Sequence, residues 1–179
     1  MVSETEQIYI VISQTGTIFS RLLKIITGEE YNHVSIGLSK DLHCMYSFGR
    51  LNPYYPFWGG FVIESPNWGT FKRFFNTKVI VLALNVGEDK FKAISERIED
   101  MSLNRKKYHY NYMGIFFAKF NKTVKRNNYY YCSEFIRDIL VQTDIDGAQN
   151  IPEIAHPMNF LKIPSTSIVY KGKLKDYSA

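Results

Sequence analysis

The sequence has few cysteines and no long apolar run, and each absence excludes a class of protein. Only two of the 179 residues are cysteine, Cys44 and Cys132, which favours free thiols over a disulfide scaffold. No segment approaches the roughly 20 apolar residues of a membrane-spanning helix. The polar, acidic residues 1–7 lack the layout of a signal peptide. We therefore expect a cytoplasmic protein, either free or bound peripherally to a membrane.

Phosphate-binding and metal-binding motifs are also absent from the sequence. No glycine-rich phosphate loop occurs, which argues against nucleotide chemistry and against nucleic acid as a partner. The two cysteines and four scattered histidines show no zinc spacing, so neither a metal nor an organic cofactor is expected. The net charge is +5, and basic residues cluster at 105–107 and 122–126. These clusters predict a solvated basic face or a surface that meets an anionic lipid or wall polymer.

The order of apolar patterns predicts an α+β fold in a single domain spanning residues 1–179. The predicted strands are 8–13, 33–38, 43–48, 61–64, 79–86 and 167–174, and the predicted helices are 17–26, 89–101 and 132–142. Residues 110–120 are predicted to form either a helix or an irregular apolar segment around Gly114. Residues 49–60 are predicted to form a loop rich in aromatic residues. The aromatic content of 16% indicates a core or cleft lined with rings.

Cys132 lies at the start of a predicted helix, directly after three tyrosines. Phe135, Ile136, Ile139 and Leu140 recur behind it at helical spacing. The first turn of a helix has unpaired N–H groups and a positive dipole end, which favour a thiolate. This position therefore predicts a reactive thiol, although a cysteine on an apolar helix face is also a common core residue.

His33 opens a predicted half-buried strand and is the candidate base for this thiol. Val34, Ile36 and Leu38 alternate with His33, Ser35 and Gly37 along the strand. The residues that share a face with His33 are small, so another group has room to approach the imidazole. An imidazole and a thiol at the edges of regular elements are typical of a Cys–His nucleophile pair, and equally of two structural residues.

A third polar group is expected to orient the imidazole from the strand that pairs with 33–38. On strand 43–48, the polar residues on one consistent face are His43 and Ser47. No carboxylate occurs there, so either residue is a weak orienter. Glu64, on a neighbouring predicted strand, is a further candidate or a surface charge. Arg50 is interpreted as a strand-end ion-pair partner or as a site for a substrate carboxylate.

Two segments resemble a known family. Asn32-His33-Val34-Ser35-Ile36-Gly37-Leu38, followed far downstream by Tyr131-Cys132-Ser133-Glu134-Phe135-Ile136, resembles the permuted NlpC-type papain-like cysteine hydrolases, the YiiX-like group. In ordinary members the cysteine helix precedes the histidine strand, whereas the order here is reversed, as in the lecithin:retinol acyltransferase-like enzymes. The resemblance spans about residues 8–142. The segments 46–50 and 59–61 also resemble a subgroup from Gram-positive bacteria.

This resemblance implies a fold and a chemistry. The fold is a papain-like permuted domain, an antiparallel sheet or small barrel with the cysteine-bearing helix packed against it. Cys132 matches the nucleophile, His33 matches the base, and Ser47 or His43 takes the third position. The implied function is hydrolysis of an amide bond in a peptide or cell-wall fragment through a thioester acyl-enzyme. The alternatives are a lipid-directed acyltransferase or hydrolase, for which the aromatic segment 54–61 suits a membrane surface, and a binding module of low activity.

Overall fold

A computed structural model describes residues 5–15, 28, 30–52 and 55–179, with the backbone alone at 55–57. Its strands join in one eight-stranded sheet with the order β7-β6-β4-β3-β2-β1-β5-β8. The strands are β1 (Thr5–Gln14), β2 (His33–Gly37), β3 (Met45–Asn52), β4 (Tyr55–Glu64), β5 (Lys78–Gly87), β6 (His109–Tyr110), β7 (Tyr129–Tyr130) and β8 (Thr166–Lys173). Neighbouring strands are antiparallel, except that β6 and β7 are parallel.

Four helices accompany the described sheet, and the α+β class predicted from the sequence is confirmed. They are α1 (Gly69–Arg73), α2 (Glu88–Leu103), α3 (Tyr112–Ala118) and α4 (Cys132–Gln142). Short 3-10 turns occur at Arg105–Lys107, Ala148–Asn150, Pro157–Lys162 and Leu174–Asp176. No helix in this described part of the chain has the length and apolar character needed to cross a bilayer.

The helix that begins at Cys132 packs on the sheet through an aromatic cluster. Phe135 of α4 lies 5.2 Å from Phe48 and 5.8 Å from Phe61, measured between ring centroids. The ring of Tyr130 lies 5.2 Å from the ring of Phe48. Such tilted and edge-on ring pairs stabilise a fold by more than the burial of their apolar area alone. The cluster fixes the position of α4 over β3 and β4, and with it the position of Cys132.

The structure differs from the sequence-based prediction in several places, among them the short strands β6 and β7, which were not predicted. Residues 49–60 are not a loop, because β3 continues to Asn52 and β4 already begins at Tyr55, with Gly49 opposite Gly60. Close packing on Gly59 explains why glycine is needed in this hairpin: a Cβ there would lie 2.8 Å from Tyr110 Cβ. His43 lies outside β3, in a bend. Helix α1 was not predicted, and the helix predicted at 17–26 lies outside the described residues.

We predict that Phe135→Ala lowers the free energy of unfolding by about 3–5 kcal/mol, because it removes a buried ring from the centre of the cluster. Phe135 is 1% exposed. The matched control is Phe75→Ala, since Phe75 is 58% exposed and its loss is expected to cost less than about 0.5 kcal/mol. Urea denaturation measures both changes. Equal losses in the two variants would contradict the packing described here.

Candidate active site

The site forms where β2 and β3 separate. The two strands pair at Ile36–Tyr46 and Gly37–Met45 but not beyond, so the backbone of Val34 has no strand partner on that side. Ser47 closes part of the gap, because its hydroxyl donates to the Val34 carbonyl at 2.7 Å. The backbone N–H of Val34 points at the sulfur of Cys132 and helps to lower the pKa of this thiol. The separation of the strands therefore lets the start of α4 approach β2.

Cys132 is the first residue of α4, as the sequence predicts. The preceding Tyr131 is the N-cap and has extended backbone angles, φ −100° and ψ 168°. Its N–H donates to Glu134 Oε2 at 3.3 Å. The thiol of Cys132 is 5% exposed and lies within hydrogen-bonding reach of the His33 imidazole. The predicted pair of thiol and imidazole is thus brought together.

A buried asparagine ties the helix that carries Cys132 to its neighbour α3. Asn111 caps α3, because its Oδ1 accepts the N–H of Gly114 at 2.9 Å. Its Nδ2 donates to the carbonyl of Val124 at 2.9 Å and to Glu134 Oε2 at 3.3 Å. A Cβ on Gly114 would lie 2.4 Å from Asn111 Nδ2, so only glycine leaves room for this amide. The starts of α3 and α4 are therefore held as one unit.

His33 is oriented by a carboxylate. Its Nε2 lies 2.9 Å and 3.1 Å from the two carboxylate oxygens of Glu64. Ser35 donates to Glu64 Oε2 at 2.6 Å, which fixes the carboxylate on its other side. Because Nε2 is bonded to Glu64, Nδ1 is the ring nitrogen left for the sulfur of Cys132. The order Cys132, His33, Glu64 has the form of a nucleophile, a base and an orienting acid.

The contact between His33 and Glu64 spans a whole strand, β3. Glu64 belongs to β4, two strands away from His33, and β3 lies between them. Gly49 of β3 sits beneath the pair: a Cβ there would lie 3.5 Å from His33 Cε1 and 3.9 Å from Glu64 Oε1. With glycine at this position, the carboxylate reaches over β3 without meeting a side chain.

The electrostatics of the site favour the charged form of each group. Burial lowers the pKa of His33, but the charge of Glu64 and the hydrogen bonds to Cys132 and Glu64 outweigh it and raise that pKa to about 10. Burial raises the pKa of the Cys132 thiol, but the hydrogen bond and charge of His33 outweigh it and lower that pKa overall. The arrangement therefore stabilises a thiolate–imidazolium pair.

Glu64 is held ionised by the groups around it. Burial raises the pKa of its carboxyl, but His33, the Ser35 hydroxyl and the positive charge of Arg50 lower that pKa overall. Arg50 is half-buried near Glu64, Tyr110 and Tyr112. Phe71 of α1 covers the imidazole, with the ring centroids of Phe71 and His33 6.5 Å apart. Arg50 thus acts on the site electrostatically, through the carboxylate.

The two orienters favoured by the sequence do not contact His33. Ser47 is fully buried and donates to the Val34 carbonyl, so its hydroxyl serves the backbone. His43 is exposed in the bend before β3, where its N–H donates to Asp41. The prediction that either residue lies beside the imidazole is wrong, because the small side chains of β3 let a residue of β4 take that position. Glu64, the further candidate, takes it.

The thiol opens into a cleft of about 240 Å³. The described residues of its walls are mostly apolar and aromatic, with one lysine, one histidine and no carboxylate among them; they include Tyr31, Asn32, Tyr110, Ile115, Ala118, Lys119, Tyr131, Ser133, Ile154, Ala155, His156 and Pro157. The sequence alone does not connect His156, Tyr110 or Lys119 with Cys132. No local pattern carries this information, since these residues meet only through the packing of α3 and of the 154–157 segment against α4.

No protein-family model matches the chain, and no curated protein matches its sequence.

We predict that Glu64→Gln moves the pH midpoint of iodoacetamide alkylation at Cys132 upwards by at least about one unit, and slows alkylation near pH 6 about tenfold. The amide keeps the size of the side chain but removes the charge that raises the pKa of His33. Peptide mass spectrometry follows Cys132, with Cys44 as the internal reference.

His43→Ala is the control for the orienter predicted from the sequence, and we expect it to leave the midpoint in place. A midpoint unchanged in Glu64→Gln, or shifted equally in His43→Ala, would show that the carboxylate does not tune the thiol.

Proposed function

We propose that the protein is a cysteine hydrolase that cleaves an amide bond through an acyl-enzyme on Cys132. The proposal rests on one observation: the Cys132 thiol, at the start of α4 and open to a cleft, is in reach of an imidazole that Glu64 holds by its other nitrogen. The order of the histidine strand and the cysteine helix supports a permuted papain-like, NlpC-type enzyme of the YiiX-like kind.

Acylation follows from the charges of the pair. The Cys132 thiolate attacks the carbonyl carbon, and the carbonyl oxygen becomes an oxyanion. The N–H groups in the first turn of α4, including that of Cys132, have no intrahelical acceptor and suit this oxyanion. The His33 imidazolium then gives its proton to the amine nitrogen, the C–N bond breaks, and the amine leaves a thioester on Cys132.

Deacylation uses the neutral imidazole that acylation leaves behind. His33 takes a proton from a water molecule as the water oxygen attacks the thioester carbon. The C–S bond breaks, the carboxylic acid leaves, and the proton on His33 restores the imidazolium–thiolate pair. Glu64 keeps its charge throughout and holds the ring in one orientation.

The cleft suits a neutral or anionic acyl group with apolar parts. Lys119 is the one lysine or arginine among the described residues of its lining, and the rings of Tyr31, Tyr110 and Tyr131 supply apolar surface. A peptide or cell-wall fragment fits this chemistry and is the substrate class that we favour. The cytoplasmic location predicted from the sequence stays a prediction.

A lipid-directed thiol hydrolase or acyltransferase is the second candidate. It is favoured by the apolar surface of α3 next to the cleft, where Met113, Phe116 and Phe120 are exposed. The aromatic segment 54–61 was the sequence-based reason for this candidate, and Trp58 in β4 is 65% exposed. The binding-module alternative depended on a weak third position, and the contact of Glu64 with His33 removes that reason.

The test is acylation by a panel of aminomethylcoumarin peptide amides and medium- and long-chain p-nitrophenyl esters. We expect a Cys132-linked acyl adduct in the intact mass, and turnover that Cys132→Ala reduces at least about 10³-fold. Cys44→Ala is the matched control and should keep full turnover. Preference for amides supports the first candidate, and preference for long-chain esters supports the second. Turnover that survives in Cys132→Ala, or no adduct with any member, contradicts the proposal.

A further inference from the structure

Helix α3 presents an unpaired apolar stripe to the solvent. Met113, Phe116, Phe117 and Phe120 recur at the spacing of one helical face and its extension. Met113, Phe116 and Phe120 are 48%, 56% and 59% exposed. The rings of Phe116 and Phe120 lie 5.7 Å apart, in contact with each other. A cluster of large apolar side chains on one exposed face marks an interaction surface rather than a chance exposure.

The chain segment that carries this stripe has charges of one sign. Residues 102–133 contain seven Lys or Arg and no Asp or Glu, whereas the rest of the chain has 15 basic and 17 acidic residues. Lys119 and Lys122 lie on either side of Phe120 in the sequence and are exposed. Among the described residues, no acidic side chain lies within ion-pair distance of either lysine. A partner that fits this surface therefore has an apolar interior and anionic groups on its outer surface.

We propose that the stripe of α3, together with Lys119 and Lys122, docks on an anionic lipid bilayer. Aromatic side chains enter the interface between headgroups and acyl chains, while lysines meet the headgroup charges. The opposite side of α3 serves the cleft, because Ile115 and Ala118 line it together with Lys119. The stripe and the cleft lining thus share one short helix. Docking does not depend on catalysis, and it is tested without it.

The experiment is co-sedimentation of Cys132→Ala protein with vesicles of phosphatidylcholine, with and without phosphatidylserine, at low salt and at about 0.5 M salt. We expect binding to the anionic vesicles at low salt, and its loss both at high salt and on neutral vesicles. The double variant Phe116→Ser/Phe120→Ser should weaken binding at least about tenfold, and Lys122→Glu at least about fivefold.

Two controls separate docking from general stickiness or misfolding. Phe75→Ser removes a ring of matched exposure, 58%, from another part of the surface, and Lys92→Glu reverses an exposed lysine on α2; both should bind like the parent protein. The alkylation rate of Cys132, measured in the same changes made with the thiol intact, should not change. Absence of binding at low salt, or equal binding by Phe116→Ser/Phe120→Ser and Phe75→Ser, overturns the proposal. So does self-association of the parent protein that the double variant abolishes without a change in vesicle binding.

Discussion

The contact between the His33 imidazole and the Glu64 carboxylate is the interaction on which the site depends. It joins strands that are not neighbours, and Gly49 of β3 lies beneath the two groups. The carboxylate is itself fixed by Ser35 at 2.6 Å. Its charge keeps a buried imidazole protonated, and that imidazole in turn favours the thiolate of Cys132. Without the carboxylate, burial would favour the neutral form of both groups.

The position of the thiol depends on a second set of contacts, independent of the first. The rings of Phe48, Phe61 and Phe135 hold α4 on the sheet. The amide of Asn111 ties the start of α4 to the start of α3. Helix α3 also has two distinct sides: one borders the cleft and the other carries exposed apolar side chains.

Local patterns in the sequence predicted the parts of the site that depend on local structure. Cys132 at a helix start and His33 at a strand start follow from apolar periodicity, and both elements are present. The sequence favours Ser47 over Glu64, because the third position is expected on the strand adjacent to His33. The place of Glu64 depends on the register of β3 with β4, which apolar periodicity does not record. The cleft residues Tyr110, Lys119 and His156 depend likewise on packing between distant segments.

The charge state of the Cys132–His33 pair is the central claim, and the ultraviolet absorbance of the thiolate measures it directly. The difference in absorbance near 240 nm between the parent protein and Cys132→Ser, followed as the pH rises, isolates this one thiol. The account predicts that the thiolate is already present near neutral pH, well below the ordinary thiol pKa of about 8.5. A thiolate that forms only at or above about pH 8.5 would contradict it, because the imidazole would then not be charged beside the sulfur.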